Sequence, residues 1–120
     1  MTEHEHYQQL VHLLLPEGLL DYFSITNTIF DGAAINVHLE EQNLPPKEYI
    51  SDKLESKGFY PSVTVQDFPI RDKGVFLHIK RRRWLNHSSG ELVSRDWQMV
   101  ASGTRLTQEF ASFLKETFGI

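Results

Sequence analysis

At 120 residues, 40% of them hydrophobic and 12% aromatic, the chain is long enough to bury a core and too apolar for disorder, so one domain over residues 1–120 is expected. It has no cysteine, which excludes disulfides and thiolate metal sites and fits a reducing cytoplasm. The net charge of −4 is uneven: residues 1–60 carry ten acids and three lysines, while residues 61–120 carry nine Lys and Arg and six acids. That asymmetry admits two readings, contact with a nucleic acid or other anionic surface, or an acidic half lying against a basic one. The apolar runs are too short to cross a bilayer, and the acidic start MTEHEHYQQL is neither a signal nor a transit peptide, so no membrane partner is expected.

Tyr7, Leu10, Val11 and Leu14 form one apolar stripe at helical spacing, with Thr2 as cap and Glu3 and Glu5 in the first turn. Pro16 ends that helix, and Leu19, Leu20 and Phe23 predict a second, short one. The period then changes to two. Phe23, Ile25 and Ile29 are expected on one face of a strand, Asp31-Gly32 in a type I′ turn, and Ile35, Val37 and Leu39 on a returning strand. Residues 43–57 are polar, contain Pro45-Pro46, and read as a loop with one helical turn near Glu48 to Leu54.

In the second half, Val63 and Val65 mark a strand ending near Phe68-Pro69, and Arg71 to Gly74 form a turn. Val75, Leu77 and Ile79 alternate along the next strand. Continued, it carries the run Lys80-Arg81-Arg82-Arg83-Trp84, with Arg81 and Arg83 following the aliphatic face and Arg82 and Trp84 the other. Asn86 to Gly90 is turn chemistry, and Leu92 to Trp97 reads as a third strand antiparallel to the arginine strand. A last helix carries Leu106, Phe110, Phe113, Leu114 and Thr117, with Thr104 or Thr107 as N-cap and Gly119 at C′. The expected fold class is α+β: N-terminal helices, a β-hairpin, a small antiparallel sheet and a C-terminal helix.

Adjacent cations repel, so the run from Lys80 to Arg83 needs anions nearby. Phosphates would serve, because a guanidinium matches them bidentately, and so would Asp67, Glu91, Asp96 or the acidic first half. Trp84 is open to two readings, stacking on a base or filling the core. His4-x-His6 could bind a metal but lies at the terminus, and His78 and His87 match no zinc spacing, so no metal or other cofactor is expected. No nucleophile elbow, P-loop or dinucleotide fingerprint occurs, and the acids read as turn formers and salt-bridge partners, so an enzyme is not expected.

Three stretches carry a resemblance. Leu14-Leu15-Pro16-Glu17-Gly18-Leu19-Leu20-Asp21-Tyr22-Phe23-Ser24-Ile25, then Val37-His38-Leu39-Glu40-Glu41, and the block from Asp67-Phe68-Pro69-Ile70 through Arg81-Arg82-Arg83-Trp84 resemble the N-terminal region of bacterial insertion-sequence transposases. In zinc-ribbon relatives the last block is the central hairpin of the ribbon, flanked by Cys knuckles and followed by a helix-turn-helix and a DDE catalytic domain. Here the knuckle positions, near Leu44 to Lys47 and between Leu85 and Gly90, hold no thiols, so the resemblance implies a metal-free hairpin held by packing. The chain also stops at Ile120, after what would be the first helix of the helix-turn-helix. The resemblance therefore implies a non-catalytic, DNA-binding region that acts weakly on transposon ends with a separately encoded DDE transposase subunit. Phosphate contacts would come from Lys80, Arg81, Arg82, Arg83 and Arg95, with Trp84 beside them and Arg71, Lys73 and Arg105 around them. The alternative is a module that docks onto the catalytic subunit without touching DNA.

Overall fold

Thr2 caps the first helix as its sequence predicts: its hydroxyl accepts the Glu5 N–H at 3.2 Å, leaving Glu3 and Glu5 at the positive end of the helix dipole. In the computed structural model, which describes residues 1–102 and 108–119, four helices and two sheets make an α+β fold. The chain groups into two compact units, Met1–Tyr22 with Trp97–Ile120, and Phe23–Asp96.

The helical unit contains α1 (Glu3–Leu14), α2 (Leu19–Tyr22), α3 (Trp97–Ala101) and α4 (Gln108–Phe118). Leu19, Phe110 and Leu114 are at most 1% exposed and form its centre. Tyr22 meets Trp97 edge-on, with ring centroids 5.4 Å apart, and stacks on Phe110 at 5.9 Å. A Cβ at Gly18, where φ is +87°, would lie 2.8 Å from the Phe110 ring, so the backbone there needs glycine. Gly119 adopts positive φ and donates to the Lys115 carbonyl at 3.0 Å, closing α4 as a C′ glycine does. Phe23, which the sequence places both in the second helix and at the start of the first strand, opens the strand, and Trp97, expected to end a strand, opens α3. Thr104, Arg105, Leu106 and Thr107 lie outside the described residues.

The strand unit holds β1 (Phe23–Phe30), β2 (Ala34–Glu41), β3 (Leu54–Phe59), β4 (Val63–Ile70), β5 (Lys73–Lys80), β6 (Arg82–Asn86) and β7 (Glu91–Ser94), with a 3-10 turn over Lys47–Tyr49. One sheet runs β1-β2-β5-β4. Its hairpins are antiparallel, but β2 and β5 pair in parallel, so this sheet is mixed. The other runs β3-β6-β7 and is antiparallel throughout. The segment from Val63 to Ser94, expected as a small antiparallel sheet, is thus divided between two sheets, with Arg81 at the junction. β3 falls where a loop is expected. LESKGF has no hydrophobic alternation to announce it, and main-chain pairing with β6 is what makes it a strand.

Three local departures have physical causes. A bulge between Ile25 and Asn27 leaves Ile25 opposite Leu39 but puts Ile29 opposite Asn36, so the two isoleucines do not share a face. The first hairpin turn is not type I′. Gly32 has positive φ but Asp31 does not, and the Asp31 carboxylate instead accepts the Ala33 and Ala34 N–H groups at 2.8 and 2.7 Å. The two-residue turn with both φ positive is Arg71-Asp72, at 52° and 64°, between the paired residues Ile70 and Lys73.

The break at Arg81 also changes which residues go inside. Val75, Leu77 and Ile79 are buried along β5, whereas Trp84 and Asn86 are buried along β6, a shift from odd to even positions. Trp84 has no exposed surface and its indole N–H donates to the Asn43 carboxamide oxygen at 2.9 Å. Trp84→Ala is expected to lower stability by about 3–5 kcal/mol in a urea titration, the cost of emptying a large buried site.

Candidate nucleic-acid interface

β5 delivers the basic run to the junction between the sheets, and the structure sorts its side chains by environment. Lys80 is exposed at the end of β5, opposite Glu40 in the parallel register. Arg82 turns inward. Its backbone N–H donates to Glu41 Oε1 at 3.0 Å, its Nε donates to the Glu41 carbonyl at 3.0 Å, a terminal nitrogen bonds Ser56 Oγ, and the guanidinium lies 4.6 Å from the Phe59 ring centroid. Arg95, just past β7, donates from Nε to Glu41 Oε2 at 3.0 Å and from a terminal nitrogen to the Leu44 carbonyl.

The Glu41 carboxylate therefore meets the Arg95 guanidinium and the Arg82 backbone N–H. Its side chain is 0% exposed and that of Arg95 12%. Burial pushes the Glu41 carboxyl up from its ordinary range, while the Arg82 N–H and the Arg95 guanidinium pull it back down. The residue continues the inward alternation of Val37 and Leu39, and that parity is the signal by which the sequence could have revealed it.

The other two arginines converge elsewhere. The Arg81 and Arg83 guanidiniums lie 5.6 and 5.9 Å from the centroid of one ring, Tyr60, whose backbone N–H donates to the Arg81 carbonyl at 2.8 Å. Arg83 also donates from Nε to the Lys57 carbonyl at 3.0 Å. Arg81 and Arg83 are both half-buried, and among the described residues Arg83 and Lys80 form no ion pair. Arg71 and Lys73 stand at the opposite end of β5, about 23 Å from Lys80 along an eight-residue strand, so they do not surround the basic run. Arg105 is outside the described residues. Of the expected contact residues, the structure brings Arg81 and Arg83 together at Tyr60 and ties Arg82 and Arg95 to Glu41. Trp84 is enclosed.

On the outer face of the mixed sheet, the His38 and His78 rings stack with centroids 4.6 Å apart and planes 17° apart. His78 is fixed at both nitrogens, by Thr64 Oγ1 at 2.9 Å and Asn36 Oδ1 at 2.8 Å. Partial burial, and after it the neighbouring His38, hold the His78 imidazole below its ordinary pKa. Elsewhere His87 bonds Glu55 at 2.9 Å, and that contact, with Lys57 at 3.3 Å, holds the Glu55 carboxyl down. Among the described residues no helix is long and apolar enough to cross a membrane.

Two outcomes follow. Glu41→Ala strands the Arg95 guanidinium in a buried place and is expected to cost about 3–5 kcal/mol in urea unfolding. For His78 the unfolded chain binds more protons than the folded one between the lowered folded pKa and the ordinary histidine value of 6.5. Stability from this group is accordingly lost as pH falls below about 6.5. The raised carboxyl of Glu41 has the opposite sign, so the measurement is a comparison: the loss in urea midpoint between pH 7.5 and pH 5.5 should be smaller for His78→Gln than for the wild type.

No protein-family model, no curated protein and no solved structure matches this chain.

Proposed function

We propose that this chain is the non-catalytic N-terminal region of an insertion-sequence transposase, adding backbone contacts to element-end DNA beside a separately encoded catalytic subunit. The observation that carries the reading is the pair of guanidiniums, Arg81 and Arg83, converging on Tyr60 next to the exposed Lys80. Arginine pairs grip phosphates bidentately, and an exposed lysine adds a point charge. Such contacts position a protein on nucleic acid without reading its sequence. The blocks that resemble transposase N-terminal regions supply the context.

The resemblance implies a hairpin without zinc. Where the resemblance places the first knuckle, the Leu44 carbonyl accepts from Arg95. Where it places the second, the Asn86 carboxamide accepts the Ser88 N–H at 2.9 Å and donates to Asp52 at 3.1 Å.

A second reading, docking onto the catalytic subunit without DNA contact, has its own support in α1. That helix buries no residue, and Tyr7, Leu10 and Leu14 of its apolar stripe are 55%, 57% and 53% exposed.

Fluorescence anisotropy with a labelled duplex, titrated with salt, tests the proposal. Log affinity should fall steeply with log salt, and Lys80→Ala and Arg83→Ala should each reduce the slope by about 0.9, one phosphate contact apiece. No binding to duplex even at low salt overturns the DNA role. If capture of the catalytic subunit then persists and is abolished by Leu10→Asp, the docking reading takes its place.

A further inference from the structure

The outer face of the mixed sheet is unlike an ordinary solvent face. Ladder partners point to the same side, so the register sets Phe76 beside Asn36, His78 beside His38, and Lys80 beside Glu40. On the flanking strands, Gln66 lies opposite Phe76 and Asn27 opposite His38. Charged residues, Glu40 and Lys80, occupy one end only. The middle consists of a phenyl ring, two imidazoles and carboxamides, with Thr64 opposite His78 and Ile29 opposite Asn36, where an antiparallel or mixed sheet facing water would ordinarily carry lysines and glutamates as well. Two residues past Gln66, at the bulge in β4, Phe68 is 85% exposed.

These groups match one ligand chemistry. Aromatic and imidazole rings stack on unpaired bases whatever their identity, and carboxamides bond to base edges. The ring positions are set in advance: His78 is held at both nitrogens and His38 lies against it. Charge points the same way. β5 carries Phe76 and His78 directly to Lys80, and the next residues along the chain are the Arg81 and Arg83 that meet at Tyr60. A base-stacking face thus leads into cations suited to the phosphates of the same strand.

We infer that this face binds single-stranded nucleic acid, with Phe76, His38, His78 and Phe68 stacking on unpaired bases and Lys80 with the Arg81–Arg83 pair taking the phosphates. The inference rests on the reading of the basic run as a phosphate contact and extends it from duplex to unpaired strands.

The test uses the full chain and three labelled probes: an oligo(dT) of about twelve nucleotides, a length within the usual range of single-strand sites, an abasic oligomer with the same number of phosphates, and a duplex. Oligo(dT) should bind at least about tenfold more tightly than the abasic oligomer, the contribution of one or more stacked bases. Phe76→Ala and His38→Ala should each remove most of that preference and leave duplex affinity unchanged. Phe68→Ala, at a side chain too exposed to endanger folding, should reduce it as well. Lys80→Ala should weaken all three probes together. Equal affinity for oligo(dT) and the abasic oligomer overturns the inference and leaves the duplex reading standing, and so does a preference that Phe76→Ala, His38→Ala and Phe68→Ala all leave intact. Preference for oligo(dT) with no duplex binding upholds the stacking face and removes the duplex role.

Discussion

A single buried carboxylate governs the strand unit. Glu41 ends β2 on the inward side, and enclosing an anion costs several kcal/mol unless charges and hydrogen bonds surround it. Its surroundings come from distant parts of the chain: the backbone N–H of Arg82 on the second sheet and the guanidinium of Arg95 beyond β7. The Arg82 side chain returns to the Glu41 carbonyl, so the end of β2 and the start of β6 are bonded through both backbone and side chain. The two sheets are joined at the point where β5 ends and β6 begins. With Arg82 anchored there, Trp84 follows on the inward side and reaches Asn43.

That constraint divides the basic run. Four adjacent cations on a regular strand would place two on each face. The break at Arg81 replaces that symmetry with a division of roles. Arg82 is absorbed by Glu41, Ser56 and Phe59, and Arg81 and Arg83 gather at Tyr60. Lys80 remains at the surface. The acidic first half supplies, through Glu41, the ion-pair partner of Arg95 and the acceptors of the Arg82 backbone and side chain, and the remaining cations of the run face outward or lie half-covered against an aromatic ring. The arginines that look most suited to gripping a ligand are not equivalent, and exposure and partner, not sequence adjacency, decide which ones are available.

Much of the fold is legible in local chemistry. The stripe from Tyr7 to Leu14, the Thr2 cap, the alternation of Val37 and Leu39 and of Val75, Leu77 and Ile79, and the glycine ending α4 each follow from spacing and from backbone preferences that operate within a few residues. Three features of the candidate sites are not legible this way. β3 exists because β6 is beside it, and LESKGF has no pattern of its own. The parallel pairing of β2 with β5 brings His38 to His78 across forty residues of chain. The bulge beside Thr26 and the break at Arg81 shift side-chain parity by one, which changes the face of every residue that follows on that strand.

The sequence by itself determined the composition of the basic run, the α+β class, the caps, and the apolar sides of β2 and β5, because these depend on residue type and short-range spacing. Only the tertiary structure decided which cations are neutralised and which rings share a face, because those depend on pairing register and on a buried charge whose partners lie 41 and 54 residues away.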